Sequence, residues 1–353
     1  MDITPYLKLM VQKNASDLYL TVNSQVKVKI DGQAVAVGKT VLTEDMTREA
    51  AYGIMSDRQI AEFEENMESD FAIAMPDGSA RFRVNVFRQR GDVGMVLRLI
   101  PSKIPTVDEL GLPEILCDLV MSKRGLILMV GGTGSGKSTT LAAMLNHRNQ
   151  NAAGHILTIE DPVEFSHPNL QSIVNQREVG VDTHSYQNAL KASLREAPDV
   201  ILIGEIRDRE TMEAALELSN TGHLAVSTLH ANNANQALER VINMFPQNHH
   251  KQLFMDLSLN LRAIISQRLV KSVAGGRVAA IEIMMNTPHI AELILKGDVG
   301  EVKEAMEGSG AKGMVSFDSA LYTLYRDEKI SIDEALANAD SKTNLEAKIN
   351  FGE

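Results

Sequence analysis

Lys137 and Ser138 close a glycine-rich run, Gly131-Gly132-Thr133-Gly134-Ser135-Gly136, and this spacing is the chain's strongest chemical signal. Glycines let the main chain curl so that its N–H groups face a phosphate chain. A lysine then reaches the β- and γ-phosphates, and a following hydroxyl sits on Mg²⁺. The pattern carries that meaning only between a strand and a helix. Both flanks qualify, because Leu126-Ile127-Leu128-Met129-Val130 reads as a buried strand and Thr139-Thr140-Leu141-Ala142-Ala143-Met144-Leu145 as a helix. The helix N-terminus adds positive potential for the phosphates. Gly132, Thr133, Gly134, Ser135, Gly136, Lys137, Ser138 and Thr139 are therefore the candidate binding residues for a nucleoside triphosphate.

Acids, imidazoles and guanidinium groups stand at four further places. The run His155-Ile156-Leu157-Thr158-Ile159 leads into Glu160-Asp161-Pro162-Val163-Glu164, just past the end of a candidate strand, where α/β sheets bind ligands. Pro162 keeps Asp161 extended, so the loop is presented rather than wound into helix. One of these acids can orient and deprotonate an attacking water. The segment Asp199-Val200-Ile201-Leu202-Ile203-Gly204-Glu205 is a second apolar run ending in an acid. An aspartate usually holds Mg²⁺ there, and the longer Glu205 is expected to reach the metal through water. His223 and His230 bracket a third strand over 225–229. They read either as hydrogen-bonded structural groups or as a sensor pair for the γ-phosphate, and a zinc site lacks a third ligand at suitable spacing. Arg81, Arg83 and Arg98 lie on paired strands near the N-terminus, with Arg81 and Arg83 facing away from Phe82 and Val84. They are either solvated surface groups or, in a ring, arginine fingers reaching a neighbour's nucleotide.

The elements that must position these groups fall into two sets. Over the first hundred residues, strands at Val26-Lys27-Val28-Lys29-Ile30, 34–37, 81–87 and 95–99 surround two helices within 44–66, with Thr43 and Ser56 as N-caps and Asp31-Gly32 as a hairpin turn. This reads as a small α+β domain. Pro101, Pro105 and Pro113 then mark a linker. From about residue 114, strands at 125–130, 155–159, 200–203, 225–229 and 278–284 alternate with helices, which argues for a mostly parallel sheet covered on both faces. Residues after Thr287 turn helical, with Gly297 as a C-cap and Ser331-Ile332-Asp333-Glu334 as a capping box, and the polar tail from 340 is expected to fray.

At 353 residues the chain suits two domains, and 44% hydrophobic residues supply their cores. The net charge of −11 argues against a nucleic-acid surface. Its one cysteine, Cys117, is expected to be a buried thiol and excludes a disulfide framework or a cysteine-clustered zinc module. No apolar run approaches a membrane span, and Met1-Asp2-Ile3-Thr4-Pro5 lacks a signal-peptide pattern, so a cytosolic chain with no direct membrane span is expected.

Taken together, the motifs closely resemble those of the secretion and type IV pilus ATPases, in the PilT/PilU family of retraction ATPases. Residues 131–138 match Walker A, Ile159-Glu160-Asp161-Pro162-Val163-Glu164-Phe165 the Asp box, and Gly204-Glu205-Ile206-Arg207 an atypical Walker B. Thr221-Gly222-His223 through Leu229-His230 match the His box, and Asn175-Gln176-Arg177-Glu178-Val179-Gly180 is also typical. Ala15-Ser16-Asp17-Leu18 and Arg81-Phe82-Arg83-Val84 extend the likeness over essentially the whole chain.

The resemblance implies an α/β chain with a PAS-like α+β N-terminal domain over 1–100 and a linker over 101–113. A RecA-like P-loop ATPase domain over 114–285 and a C-terminal helical region over 286–353 complete it. It also implies a homohexamer binding ATP and Mg²⁺ at subunit junctions. By motif position Glu164 resembles the catalytic glutamate, Glu205 the Mg²⁺-linked one, and His223 and His230 the His-box pair, while Arg81, Arg83 and Arg98 are the candidate fingers. The tetracysteine zinc module and extra N-terminal domain of pilus-assembly and type II secretion ATPases are missing, which points to retraction. Within that branch, the Ala-Ile-Arg-Asn-Leu-Ile-Arg-Glu helix of the principal motors is replaced over 289–296, and 229–240 and 256–261 resemble the accessory PilU type. The implied partners are a PilT-type retraction ATPase and the inner-membrane pilus platform protein, at the cytoplasmic face of the inner membrane. An autonomous retraction motor and an ATP-binding scaffold for another motor are the rival readings.

Overall fold

The computed structural model describes residues 1–351 other than Asp31, Pro76 and Ser102. It comprises two units, Met1–Lys103 with Glu164–Ser166, and Ile104–Val163 with His167 onward. The first has α1 (Thr4–Lys13), β1 (Asp17–Leu20), β2 (Gln25–Ile30), β3 (Gln33–Val41), α2 (Glu44–Tyr52), α3 (Asp57–Asn66), β4 (Glu68–Ala74), β5 (Arg81–Gln89) and β6 (Asp92–Ile100). Its six-stranded sheet runs β3-β2-β1-β6-β5-β4. Period-two alternation sends Phe82, Val84 and Val86 into a core with Leu18, Val28 and Phe63, and leaves Arg81 and Arg83 on the opposite face. Thr43 caps α2 through the Met46 N–H, and Ser56 with Gln59 forms a full capping box on α3. Asp31, in the expected hairpin turn, lies outside the described residues.

The second unit continues with α4 (Ile115–Val120), β7 (Gly125–Val130), α5 (Lys137–Asn151), β8 (Gly154–Glu160), β9 (Ser172–Glu178), α6 (Tyr186–Ser193) and β10 (Val200–Ile203). Then come α7 (Arg209–Asn220), β11 (Leu224–Leu229), α8 (Ala234–Asn243), α9 (His250–Asn260), β12 (Leu261–Lys271) and β13 (Arg277–Met285). The helices α10 (Pro288–Lys296), α11 (Val302–Gly308), α12 (Phe317–Arg326), α13 (Ile332–Asn338) and α14 (Lys342–Phe351) follow. The seven-stranded sheet runs β13-β12-β7-β11-β10-β8-β9, parallel except for the β12–β13 pair. In β7, Leu126, Leu128 and Val130 enter one core while Ile127 and Met129 enter the other. Both faces are therefore helix-covered, which explains the unbroken apolar run. Each such side chain contributes about 1.5–3 kcal/mol on burial.

An α+β unit followed by an α/β unit with a helical C-terminal part is the fold class expected. Three local expectations fail. Over its described residues the tail is not frayed: α14 buries Leu345, and Asp318 accepts the N–H groups of Asp340 and Ser341 at 2.8 and 3.0 Å just before it. The capping box at Ser331 is only half formed. Its hydroxyl accepts the Glu334 N–H, but the Glu334 carboxylate turns to the Lys271 N–H at 2.9 Å. Cys117 is partly exposed rather than buried, and burial still pushes its thiol up.

Candidate active site

Because the strands from β9 to β12 run parallel, their carboxyl ends lie on one edge of the sheet. The glycine-rich run leaves β7 on that edge and enters α5, whose N-cap is Gly136 and carries no side-chain cap. A helix start left without a capping oxygen is suited to an anion. Gly136 has φ +87°, and a Cβ there would lie 2.7 Å from Gln267 Nε2. A Cβ on Gly131 would lie 2.5 Å from Ser135 Oγ. Both positions therefore require glycine. Lys137 Nζ donates to the carbonyls of Gly131 at 2.8 Å and Gly132 at 2.9 Å, so its charge sits over the mouth of the loop. Gly132, Thr133 and Gly134 are exposed, whereas Ser135 is buried.

On the same edge, one strand beyond β11, β10 ends at Ile203 and is followed by Glu205. Arg207 Nε donates to Glu205 Oε2 at 2.8 Å, and His230 Nε2 lies 3.0 Å from Oε1. The carboxylate is 16% exposed and is gripped on both oxygens, which fixes its direction. Its hydrogen bond raises the Arg207 guanidinium further above its ordinary value. Glu160, at the end of β8, accepts from Thr158 Oγ1 at 2.6 Å and Gln176 Nε2 at 3.2 Å. Tyr186 packs over the Gly204 turn, and burial, then the nearby Asp161, push its phenol up. A cavity of about 420 Å³ opens between Gly131, Gly132, His230, Asn232 and Arg240.

Within this unit the structure brings Lys137, Ser138, Glu205 and His230 to one edge of the sheet, and places His223 at the other. His223 Nδ1 meets the Leu218 carbonyl and Thr221 Oγ1, each at 3.1 Å, closing the end of α7. Glu164 is exposed and groups with the first unit, as a member of none of these bonds. In the first unit Arg83 lies opposite Arg98 across β5 and β6. Two facing cations repel. They are offset by acids, since Arg98 Nε donates to the buried Asp17 at 2.9 Å and Arg83 lies 3.8 Å from Asp70.

Sequence reasoning missed Arg207 as a partner of Glu205, although it stood in the quoted Gly204-Glu205-Ile206-Arg207 string, and it missed Gln267 entirely. For Mg²⁺, Ser138 on the first turn of α5 and the oriented Glu205 carboxylate are a hard-oxygen pair that fits. Among the described residues no cluster of three or more His, Cys, Asp or Glu forms a metal cage. A magnesium ion bound mainly by substrate phosphates and water needs none.

Residues 1–307 match the family described as Type II/IV secretion system protein. The chain is 52% identical to the type IV pilus ATPase PilU of Pseudomonas aeruginosa, over 100% of this chain and 92% of that one. It is 43% identical to the type IV pilus retractation ATPase PilT of the same organism, over 98% of this chain and 100% of that one. Among solved structures, the pilus retraction motor PilT with bound ADP superposes with a TM-score of 0.91 at 41% identity, covering 98% of this chain and 99% of that chain.

Proposed function

The chain belongs to the type II/IV secretion system protein family, in its PilT/PilU group of retraction ATPases, and on that premise we propose how it works. It is an ATPase that powers or assists type IV pilus retraction as a homohexamer, with the accessory PilU role favoured. The observation that carries the reading is the uncapped glycine-loop helix on the same sheet edge as a Glu205 held by Arg207 and His230, in a chain alike to PilU over its whole length. Lys137 neutralises the β- and γ-phosphates of ATP, and backbone N–H groups at Gly134, Gly136, Ser138 and Thr139 cradle them. Ser138 and Glu205 would hold Mg²⁺, which would supply charge neutralisation at the transferred phosphoryl group. His230 keeps Glu205 aimed and reports the γ-phosphate. Glu164 takes the proton of the attacking water. Arg81, Arg83 and Arg98 act on the nucleotide of a neighbouring subunit.

The PilU preference has its own support. α10 keeps a packed face of Ile290, Leu293 and Ile294, so the helix survives the replaced sequence. What changes is the outward face, where His289, Glu292, Leu295 and Lys296 are exposed. Among the described residues no helix is long and apolar enough to cross a membrane. On the likeness to PilU and PilT, the proposed place of work is the cytoplasm, docked on a PilT-type ring and the inner-membrane platform protein. Glu164→Gln should keep ATP binding while stopping phosphate release, since an amide cannot accept the proton. Near-normal turnover would remove Glu164 from the role. In a strain whose only retraction ATPase is this one, pili should fail to retract under load. Robust retraction there would favour an autonomous motor.

A further inference from the structure

Gln267, on β12, is a buried polar side chain (3% exposed) that faces the phosphate-binding loop from outside its motif. Its Nε2 donates to the Ser135 carbonyl at 2.8 Å. Its Oε1 accepts from Thr140 Oγ1 at 2.7 Å. Its own carbonyl lies 2.6 Å from where a Cβ of Gly131 would stand. One residue thus abuts the first glycine of the loop, holds its centre and anchors the first turns of α5.

The loop needs such an anchor. Gly131, Gly132, Gly134 and Gly136 give it more backbone freedom than other residues would, and ordering it on binding costs affinity. A donor and an acceptor already fixed by a strand paired on both sides lower that cost. The flanking residues of β12 tie down the opposite wall of the site. Ser266 Oγ donates at 3.0 Å to Glu282, which also accepts the Ala234 N–H that opens α8 at 2.8 Å. Arg268 stacks 3.9 Å over Phe317, pairs with Asp340 at 2.7 Å, and donates to the Asn232 carbonyl at 3.3 Å. The glycine loop and the His230 side are thus registered on consecutive residues of one strand.

We propose that Gln267 is a positioning residue for nucleotide binding, holding the 131–136 loop in its phosphate-binding curvature through Ser135 and Thr140. The inference rests on the reading of 131–138 as the nucleotide site. Glu205 and His230 are held by other bonds, so loss of the Gln267 clamp should weaken ATP binding far more than turnover at saturation.

The test uses the full chain, with Mg·ATP turnover, titration of a fluorescent ADP analogue, and denaturant unfolding. Gln267→Met keeps the length and removes both hydrogen bonds. It should raise KM and the ADP dissociation constant roughly tenfold, with kcat within about threefold. Thr140→Val removes one arm and should raise KM about threefold. A role in folding alone would lower the unfolding midpoint and leave KM in the folded fraction unchanged, and that result overturns the proposal. Should Gln267→Met not fold, Thr140→Val decides, and an unchanged KM there counts against the clamp. Lys137→Ala separates the two readings. If it binds ADP as the unaltered chain does, the nucleotide site itself is misassigned. If it loses binding while Gln267→Met keeps its KM, only the Gln267 inference falls.

Discussion

His223 and His230 flank the two ends of one six-residue strand, β11, within one motif, and their surroundings differ completely. With a rise of about 3.3 Å per residue they stand roughly 20 Å apart. His230 faces Glu205 at 3.0 Å on the edge that carries the glycine loop. His223 bonds the last turn of α7 on the far edge. In a parallel sheet every strand delivers its following loop to the same side. Direction along the strand, more than residue type or motif membership, therefore decides which imidazole meets the chemistry.

The largest effect that could break this comparison is at the working edge. Lys137→Ala and Glu205→Gln should each lower steady-state phosphate release by about 10²–10³-fold, the scale for removing a group that faces developing charge. The matching change at the far edge is Asp199→Asn, where the carboxylate accepts the His155 N–H at 2.8 Å. It should cost about 1 kcal/mol in unfolding and leave kcat within about twofold. A large kcat loss in Asp199→Asn would mean that the two edges are not chemically distinct.

A smaller effect concerns the first unit. Arg98→Ala removes the guanidinium from the buried Asp17, which keeps its bond from Ser16 Oγ at 2.9 Å, and should cost about 1 kcal/mol of stability, read by urea unfolding. Arg81 forms no ion pair among the described residues, so Arg81→Ala isolates a role in turnover. If it serves a neighbour's nucleotide, phosphate release falls about tenfold with unfolding unchanged. Full turnover in Arg81→Ala would remove Arg81 from that role and leave it to Arg83 and Arg98.

The smallest effect belongs to a third histidine. Burial pushes the His167 imidazole down from 6.5 to about 4. The unfolded chain then takes up a proton that the folded chain refuses. Its contribution to stability is complete above pH 6.5 and fades as pH falls toward 4. His167→Gln should flatten that part of the stability profile, and an unchanged slope would show that the site is not desolvated.

How much of this was legible depended on distance along the chain. β7 announced itself because both of its faces are buried, and the glycine loop because its contacts are local. β12 did not, since Leu261–Lys271 follows α9 directly and its apolar pattern fits helix or strand equally well. With it went Gln267, whose bond to Ser135 spans 132 positions. β1 was missed because four residues suffice once Asp17 is matched by Arg98 across 81 positions. β9 is an edge strand with Ile173 60% exposed, so it lacks a clean alternation signal. α14 docks largely through Leu345, too little apolar pattern to reveal a helix in a polar tail.

Phosphate release at saturating Mg·ATP in His230→Gln and His223→Gln, measured side by side on folded protein, addresses the two-edge account most directly. His230→Gln should fall about 10²-fold and His223→Gln should stay within about threefold of the unaltered chain. The reverse order, with His223→Gln inactive and His230→Gln working, would contradict it.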